Sequence, residues 1–239
     1  MKNDRNALKE LQHSLENLKG NLHVLEIHVP VEKQMEYFRF SETIRNDFTD
    51  DDRSLEKQIK VLTSNESSLP EIKYALAFLA ISGNVKAYRA IESYYKTHSD
   101  DWSAMSFIQA KITLESEFSD EKQIFISTGL GGRGNQLRFF AFFKSNKGKK
   151  FSDYQKELIE KEIPYYIQNY QGIPEEIQIR DNYFTLLFLI HLQVDIKTML
   201  EDIIDECNQY GDFIDKGFII TNVKVFTEEE IQNELMKRE

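Results

Sequence analysis

The sequence is poor in cysteine, proline and glycine, and each shortage excludes a class of protein. Cys207 is the one cysteine among 239 residues, so no disulfide can form within the chain and a reducing compartment is expected. Four prolines and ten glycines are too few for collagen-like or long disordered tracts. The first twelve residues lack the apolar stretch of a secretory signal, so none is expected. Together these shortages predict a folded cytoplasmic protein.

The chain also lacks a long apolar run and an excess of positive charge. The longest run, residues 184–192, is interrupted by Thr185 and His191 and is too short to span a bilayer, so it predicts a buried strand or helix. Thirty Lys and Arg against 40 Asp and Glu give a net charge of −10, which repels a phosphate backbone. The short basic run at residues 144–150 contains a glycine and is typical of a solvated loop. We therefore expect neither a membrane nor a nucleic acid as partner.

Apolar residues are present in sufficient number for one large domain or two small ones. Near the N-terminus seven of them alternate in spacing between three and four: Leu8, Leu11, Leu15, Leu18, Leu22, Leu25 and Val29. This spacing predicts one helical stripe that ends at Pro30, although Gly20 within it favours a bend. Because the flanking positions are mostly uncharged, the stripe favours packing within the chain. A dimeric coiled coil is the alternative.

Helical spacing continues through the first half of the chain, with start and stop signals at the expected places. The aspartates at residues 50–52 and 100–101 are predicted to cap the helices that follow them. Pro70 is expected in a first turn, and residues 83–84 (Gly-Asn) are expected to separate two helices. The sequence therefore predicts a helical domain over residues 1–118, either a bundle or an array of helical hairpins.

The stretch LPEIKYALAFLAISGNVKAYRAIESYYK has small alanines where two helices would approach closely. It resembles the helical hairpins of the HEAT and TPR repeat families, and the resemblance covers residues 69–118. Only about one and a half units are visible, whereas a stable array needs about three. What the resemblance implies is a surface that binds another protein.

Beyond Asp120 the pattern changes to aromatic and β-branched runs alternating with helical ones. The predicted order is β-β-α-β-α-β-α, with strands at 123–127, 137–144, from about 177 and 218–226, and helices from Ser152, after Asp195 and from Thr227. Strands separated by helices predict parallel crossovers joined to one antiparallel hairpin. We expect an α+β domain with a mixed sheet over residues 119–239.

Residues 128–135 (TGLGGRGN) contain four of the ten glycines. Gly129, Gly131 and Gly134 fit the G-x-G-x-x-G spacing of dinucleotide sites, but the next segment, residues 137–143, is strand-like where such a site requires a helix. Nor does an acidic residue close a second parallel strand about 20 residues further on. The segment therefore predicts a hairpin connection whose glycines adopt positive φ.

The alternative for this segment is an anion-binding site made of bare backbone amides and a cation. Its candidate ligand-binding residues are Gly129, Gly131, Gly132, Arg133, Gly134, Asn135 and Arg138.

Elsewhere the sequence has no pattern typical of a catalytic or metal site. On the predicted helix, His23 and His28 are five residues apart and point to different sides, which is poor geometry for a shared metal. Asp205 and Glu206 stand beside Cys207, where their charges discourage thiolate chemistry. No nucleophile motif such as Gly-x-Ser-x-Gly occurs. We therefore expect no catalytic residue, no metal and no cofactor.

The sequence thus favours a non-enzymatic protein–protein interaction or scaffold module, whose partner is another protein and which could also form a homo-oligomer. The alternative is a small-anion-binding or enzymatic α+β domain that uses residues 128–135. An exposed apolar groove in the helical half supports the first hypothesis, whereas a concave pocket at the glycine segment with arginines pointing inward supports the second.

Overall fold

The computed structural model describes residues 21–24, 26–46, 48–49, 51–119 and 123–237. They form two compact units, which we call the helical unit, within Lys19–Gly129, and the sheet unit, within Leu130–Glu239. In the described residues the helical unit has five helices and a two-stranded sheet, and the sheet unit has three helices and a five-stranded sheet. The predicted α+β class, with helices first and a strand-containing half after them, is confirmed. The predicted domain boundary after residue 118 stays a prediction.

The helical unit consists of strand β1 (Asn21–Val24), helices α1 (Val31–Arg45), α2 (Asp52–Thr63), α3 (Leu69–Ala80), α4 (Val85–Thr97) and α5 (Asp101–Glu117), and strand β2 (Gln123–Ile126). The sheet unit consists of strands β3 (Gly132–Arg133) and β4 (Gln136–Ser145), helix α6 (Asp153–Asn169), strands β5 (Ile173–Ile179) and β6 (Tyr183–His191), helix α7 (Ile196–Asn208), strand β7 (Ile214–Thr221) and helix α8 (Glu228–Met236).

Side chains just before the helices explain where these begin. The Asp51 carboxylate accepts a hydrogen bond from the backbone N–H of Ser54 at 2.8 Å, which satisfies a donor that has no partner within the helix. Asp100 caps α5 in the same way, and Ser152 and Thr227 cap α6 and α8. These predicted caps are confirmed.

The hairpin of α3 and α4 also has the predicted boundaries. Pro70 is the second residue of α3, where its missing N–H costs nothing, and the backbone N–H of Ser68 donates to the Glu71 carboxylate at 2.8 Å. Gly83, at φ +63°, ends the turn, and Asn84 caps α4. The resemblance to repeat proteins itself stays a prediction.

The core of the helical unit contains a buried polar group of three side chains. Tyr37 is fully buried and donates its hydroxyl hydrogen to Gln109 Oε1 at 2.6 Å. The Ser41 hydroxyl donates to the same oxygen at 3.1 Å. Burial raises the pKa of Tyr37 well above its usual range, so the phenol stays neutral and remains a donor. The group links α1 to α5 because its members lie on those two helices.

The prediction of one leucine-striped helix reaching Val29 is wrong for residues 21–24. Asn21–Val24 form a strand that pairs in parallel with β2, with Leu22 opposite Ile124. A strand is stabilised by hydrogen bonds to a distant segment, and local apolar spacing does not reveal that partner. Leu8, Leu11, Leu15 and Leu18 lie outside the described residues.

The five-stranded sheet is antiparallel throughout, so the expectation of parallel crossovers is wrong. β4 is central: β6 pairs along one side of it and β5 pairs with β6, while β3 and β7 pair with the other side of β4 at its two ends. The pattern predicts a single strand from about residue 177, before α7. In the structure this part of the chain forms the β5–β6 hairpin. The run at residues 184–192 therefore belongs to a strand and not to a helix.

Aromatic side chains fill both faces of the sheet. On one face the rings of Phe143 and Phe184 stack with their centroids 4.6 Å apart, and both are buried. On the other face Phe140 and Phe142 pack with Ile231 of α8. Among the described residues, no helix combines the length and the apolar character needed to cross a membrane.

Candidate functional site

The glycine segment ends in a tight β-hairpin, which confirms the predicted use of glycine at positive φ. Arg133 pairs with Gln136, so Gly134 and Asn135 form a two-residue loop between β3 and β4. Gly134 has φ +58° and Asn135 does not have a positive φ, a combination typical of a type II′ turn. The partner of β4 in this hairpin is β3 and not β2, because β2 pairs with β1.

The structure gathers six of the seven candidate ligand-binding residues into this hairpin. Gly131, at φ +64°, and Gly132 are buried, and the carbonyl of Gly131 accepts from the Arg138 backbone N–H at 3.0 Å. Arg133, Gly134 and Asn135 are exposed at the tip. The seventh, Gly129, is the last residue of the helical unit.

Arg138 is engaged in hydrogen bonds within the sheet unit. Its Nη2 donates to the Glu175 carboxylate at 2.9 Å, its Nε donates to the other carboxylate oxygen, and its Nη1 donates to the Leu130 carbonyl at 2.8 Å. The hydrogen bonds to Glu175 raise the pKa of Arg138 above its usual value. A bidentate pair of this kind fixes the guanidinium, so Arg138 has a structural role in holding β4, β5 and the start of the hairpin together.

The exposed Arg133 allows the two hypotheses for the glycine segment to be separated. Arg133→Ala is expected to change the free energy of unfolding by no more than about 0.5 kcal/mol, because an exposed loop arginine contributes little. We expect phosphate to leave the melting temperature of both forms unchanged, as measured by thermal unfolding in a phosphate series. Arg138→Ala is the matched variant, and it should lower stability because it leaves Glu175 without its bidentate partner. Heat protection by phosphate that Arg133→Ala abolishes would establish the anion site instead.

The helical unit has an open groove of about 330 Å³ between α1, α3, α4 and the start of α5. Its apolar lining consists of Leu69, Ile72, Leu76, Tyr94 and Trp102. Leu69 is 65% exposed, so part of this apolar lining is in contact with solvent. Sequence analysis missed these residues because they come from separate helices. The one sign of the groove in the sequence was Leu69, an apolar residue that lies outside the buried residues of α3.

Trp102 is held rigidly at the side of this groove. Its indole N–H donates to the Lys73 carbonyl at 3.1 Å, and its ring meets those of Tyr37 and Phe40 edge-on with centroids 5.2 Å away in each case. The Lys73 ammonium lies 4.3 Å from the centroid of the Trp102 ring, within the range of a cation–π contact. A fixed aromatic wall loses little conformational entropy when another molecule binds against it.

The rim of the groove is charged. The Lys33 ammonium lies 2.9 Å from the Glu36 carboxylate, and the Lys73 ammonium lies 4.0 Å from it, so two cations share one anion. Asp100 and Asp101 also line the groove. An apolar floor with a polar rim is the usual anatomy of a surface that binds another protein.

The sheet unit has a larger but polar cavity of about 510 Å³, lined by residues that include Arg180, Asp181, Tyr183 and Glu228. The Tyr183 hydroxyl lies 3.3 Å from the Glu228 carboxylate. Within the described ranges, no group of three or more histidine, cysteine, aspartate or glutamate side chains is arranged to hold a metal ion.

No protein-family model and no curated protein sequence matches the chain.

Proposed function

We propose that the chain is a non-enzymatic protein–protein interaction module, and that its helical unit holds a segment of a partner protein in the groove beside Leu69 and Trp102. The observation that carries this proposal is an open groove with an apolar lining, in which Leu69 is 65% exposed. Burying apolar surface contributes roughly 25 cal/mol per Å², so one large side chain placed in the groove supplies useful affinity.

The chemistry of the groove indicates what kind of segment it holds. Its size fits one large apolar or aromatic side chain, since about 330 Å³ cannot contain a whole helix. On the rim, the two cations Lys33 and Lys73 are outnumbered by three carboxylates, those of Glu36, Asp100 and Asp101. The whole chain has a net charge of −10, which attracts cations over longer distances. These charges favour a partner segment in which lysine or arginine accompanies the apolar anchor.

Leu69→Asp is expected to reduce partner binding at least about tenfold, because the new carboxylate would be desolvated by the apolar anchor. The substitution is compatible with α3, since Leu69 is its first residue and helix N-termini favour a carboxylate. The measurement is quantitative capture of native-lysate proteins on the immobilised full chain, followed by direct titration of the captured protein.

Val85→Asp is the matched control for this experiment. Val85 is also the first residue of its helix and is 50% exposed, but it does not line the groove. A specific partner should be retained by the wild type and by Val85→Asp and lost by Leu69→Asp. Equal retention by the two variants, or no retained protein at all, contradicts the proposal.

We also propose that the chain functions in the cytoplasm. Its single cysteine, Cys207, is buried in α7, and burial together with the charges of Glu162 and Glu206 raises the pKa of the thiol to about 12. A neutral, inaccessible thiol supports a structural role in a reducing compartment.

A further inference from the structure

The polar cavity of the sheet unit lies where three elements of the fold meet. Lys156 lines it from α6, Arg180 from the turn between β5 and β6, and Glu228 from α8. Its volume of about 510 Å³ is within the range of about 300–1,000 Å³ that is usual for small-molecule sites. All of its lining residues belong to the sheet unit. The cavity is therefore formed by one compact unit.

The two cations that line this cavity have no carboxylate as a partner. Lys156 is half-buried, and in the described part of the chain its ammonium group forms no ion pair. The Arg180 guanidinium donates to two neutral oxygens of β5, at 3.2 and 3.3 Å. Asp181 also lines the cavity, but its carboxylate pairs with Lys150 at 2.7 Å. Lys150 lowers the pKa of Asp181 by its hydrogen bond and its charge, and Lys156 adds only a smaller effect. Lys156 and Arg180 can therefore still bind an anion.

The same cavity has a carboxylate without a cation. Among the described residues Glu228 forms no ion pair, and its oxygens accept a hydrogen bond from Gln232 Nε2 at 2.9 Å and lie 3.3 Å from the Tyr183 hydroxyl. Burial raises the pKa of Tyr183 and the charge of Glu228 raises it further, so the phenol stays a neutral donor. These two neutral donors orient the carboxylate but leave its negative charge uncompensated.

Charges of opposite sign thus line one cavity without forming ion pairs with one another. Elsewhere on the same two helices such pairs do form, as between Lys161 and Glu157 at 2.8 Å on α6. A simple anion in the cavity would be repelled by Glu228, and a simple cation would be repelled by Lys156 and Arg180. The ligand that fits both sets of charges has a negative and a positive group in one small molecule.

We propose that the cavity binds a small zwitterion of the amino-acid class. The ligand carboxylate accepts hydrogen bonds from Lys156 and Arg180, and the ligand ammonium group donates to Glu228. Charge-assisted hydrogen bonds of this kind are about twice as strong as neutral ones. The Asn182 amide and the half-buried Ile179 also line the cavity and are available to contact the side chain of the ligand. This site uses no residue of the groove in the helical unit.

The first test needs no variant. We expect at least one of the standard amino acids, each added at about 2 mM, to raise the melting temperature of the full chain, because a ligand that binds the folded state stabilises it. For the amino acid with the largest shift, calorimetric titration then gives the Kd. The titration is repeated with the two analogues that lack either the amino group or the carboxyl group. Each analogue should bind at least about tenfold more weakly than the amino acid itself.

Glu228→Gln and Lys156→Gln test the two halves of the site separately. Each removes one charge but keeps a polar side chain, and each should raise the Kd of the amino acid at least about tenfold. Glu228→Gln should leave the analogue without an amino group bound no more weakly than by the wild type. The matched controls are Glu229→Gln on α8 and Lys161→Gln on α6, because both residues are exposed and neither lines the cavity. Both controls should bind the amino acid as the wild type does.

Three outcomes would overturn the proposal. They are a melting temperature that no standard amino acid raises, equal affinity for the amino acid and its analogue without an amino group, and binding by Glu228→Gln as tight as by Glu229→Gln. The melting temperature of each variant without ligand shows that it is folded. None of these results bears on the groove of the helical unit, because no residue of that groove is changed.

Discussion

Phe184→Ala is expected to lower the free energy of unfolding of the sheet unit by about 3–5 kcal/mol, as truncation of a buried phenylalanine does. Phe184 is fully buried on β6, and its ring stacks on Phe143 and contacts Phe151 at centroid distances of 4.6 and 6.3 Å. Its removal costs the apolar transfer energy and leaves a cavity that two rigid rings cannot close.

Urea unfolding measures this loss, with separate signals for the two units. The one tryptophan, Trp102, belongs to the helical unit, so its fluorescence follows that unit, while circular dichroism follows the whole chain. Tyr154→Ala is the matched control, because Tyr154 lies on α6 of the same unit and is 56% exposed. The control should stay within about 0.5 kcal/mol of the wild type. A loss below about 1 kcal/mol for Phe184→Ala would mean that the two-ring stack is not part of a close-packed core.

Gly172→Ala is expected to destabilise the sheet unit by about 1–3 kcal/mol, although it adds only one methyl group. A Cβ at this position would lie 2.7 Å from Ile190 Cδ1, 2.8 Å from Ile167 Cγ2 and 2.9 Å from the Leu189 carbonyl oxygen. The backbone oxygen cannot turn away as a side chain can. The steric clash of the added methyl group can therefore be relieved only if α6 and β6 move apart.

The control for this substitution is Gly217→Ala in β7. There the nearest atom to an added Cβ is the Asp215 carboxylate oxygen at 3.0 Å, which lies at the end of a flexible side chain. We expect a change of no more than about 0.5 kcal/mol in the same urea titration. Equal losses at both positions would show that general backbone stiffening, and not the close approach of α6 to β6, determines the cost.

Sequence reasoning succeeded where structure depends on neighbours along the chain. Asp51, Asp100, Ser152 and Thr227 cap helices because a short polar side chain reaches an amide two or three residues away. The glycine hairpin was predictable for the same reason, since positive φ at Gly134 is a local requirement. Such signals can be read without knowledge of the rest of the fold.

It failed where structure depends on distant partners. Leu22 belongs to an apolar series with helical spacing, yet it lies in a strand because residues 123–126 supply its hydrogen-bond partner. The predicted parallel direction of the strands in the second half was wrong, because the chain turns back at Asp181 and Asn182 between β5 and β6. These are ordinary polar residues, and they do not signal a turn by their type alone. For Arg138, the sequence could not show Glu175 as its partner, since the pair forms across the sheet. The groove at Leu69 was hidden for the same reason.

Two of the outer strands of the five-stranded sheet, β5 and β7, have features that limit the addition of further strands. β5 contains Pro174, which has no N–H to offer, and its register shifts between Pro174 and Glu176, so its outer side is a poor template for another strand. β7 has no proline, but its pairing with β4 shifts register between Phe143 and Ser145, and it contains the charged residues Asp215 and Lys216. A sheet with two receptive sides could add copies without end and form a fibre. Because β5 and β7 are both interrupted, this sheet is a poor template for the addition of further copies.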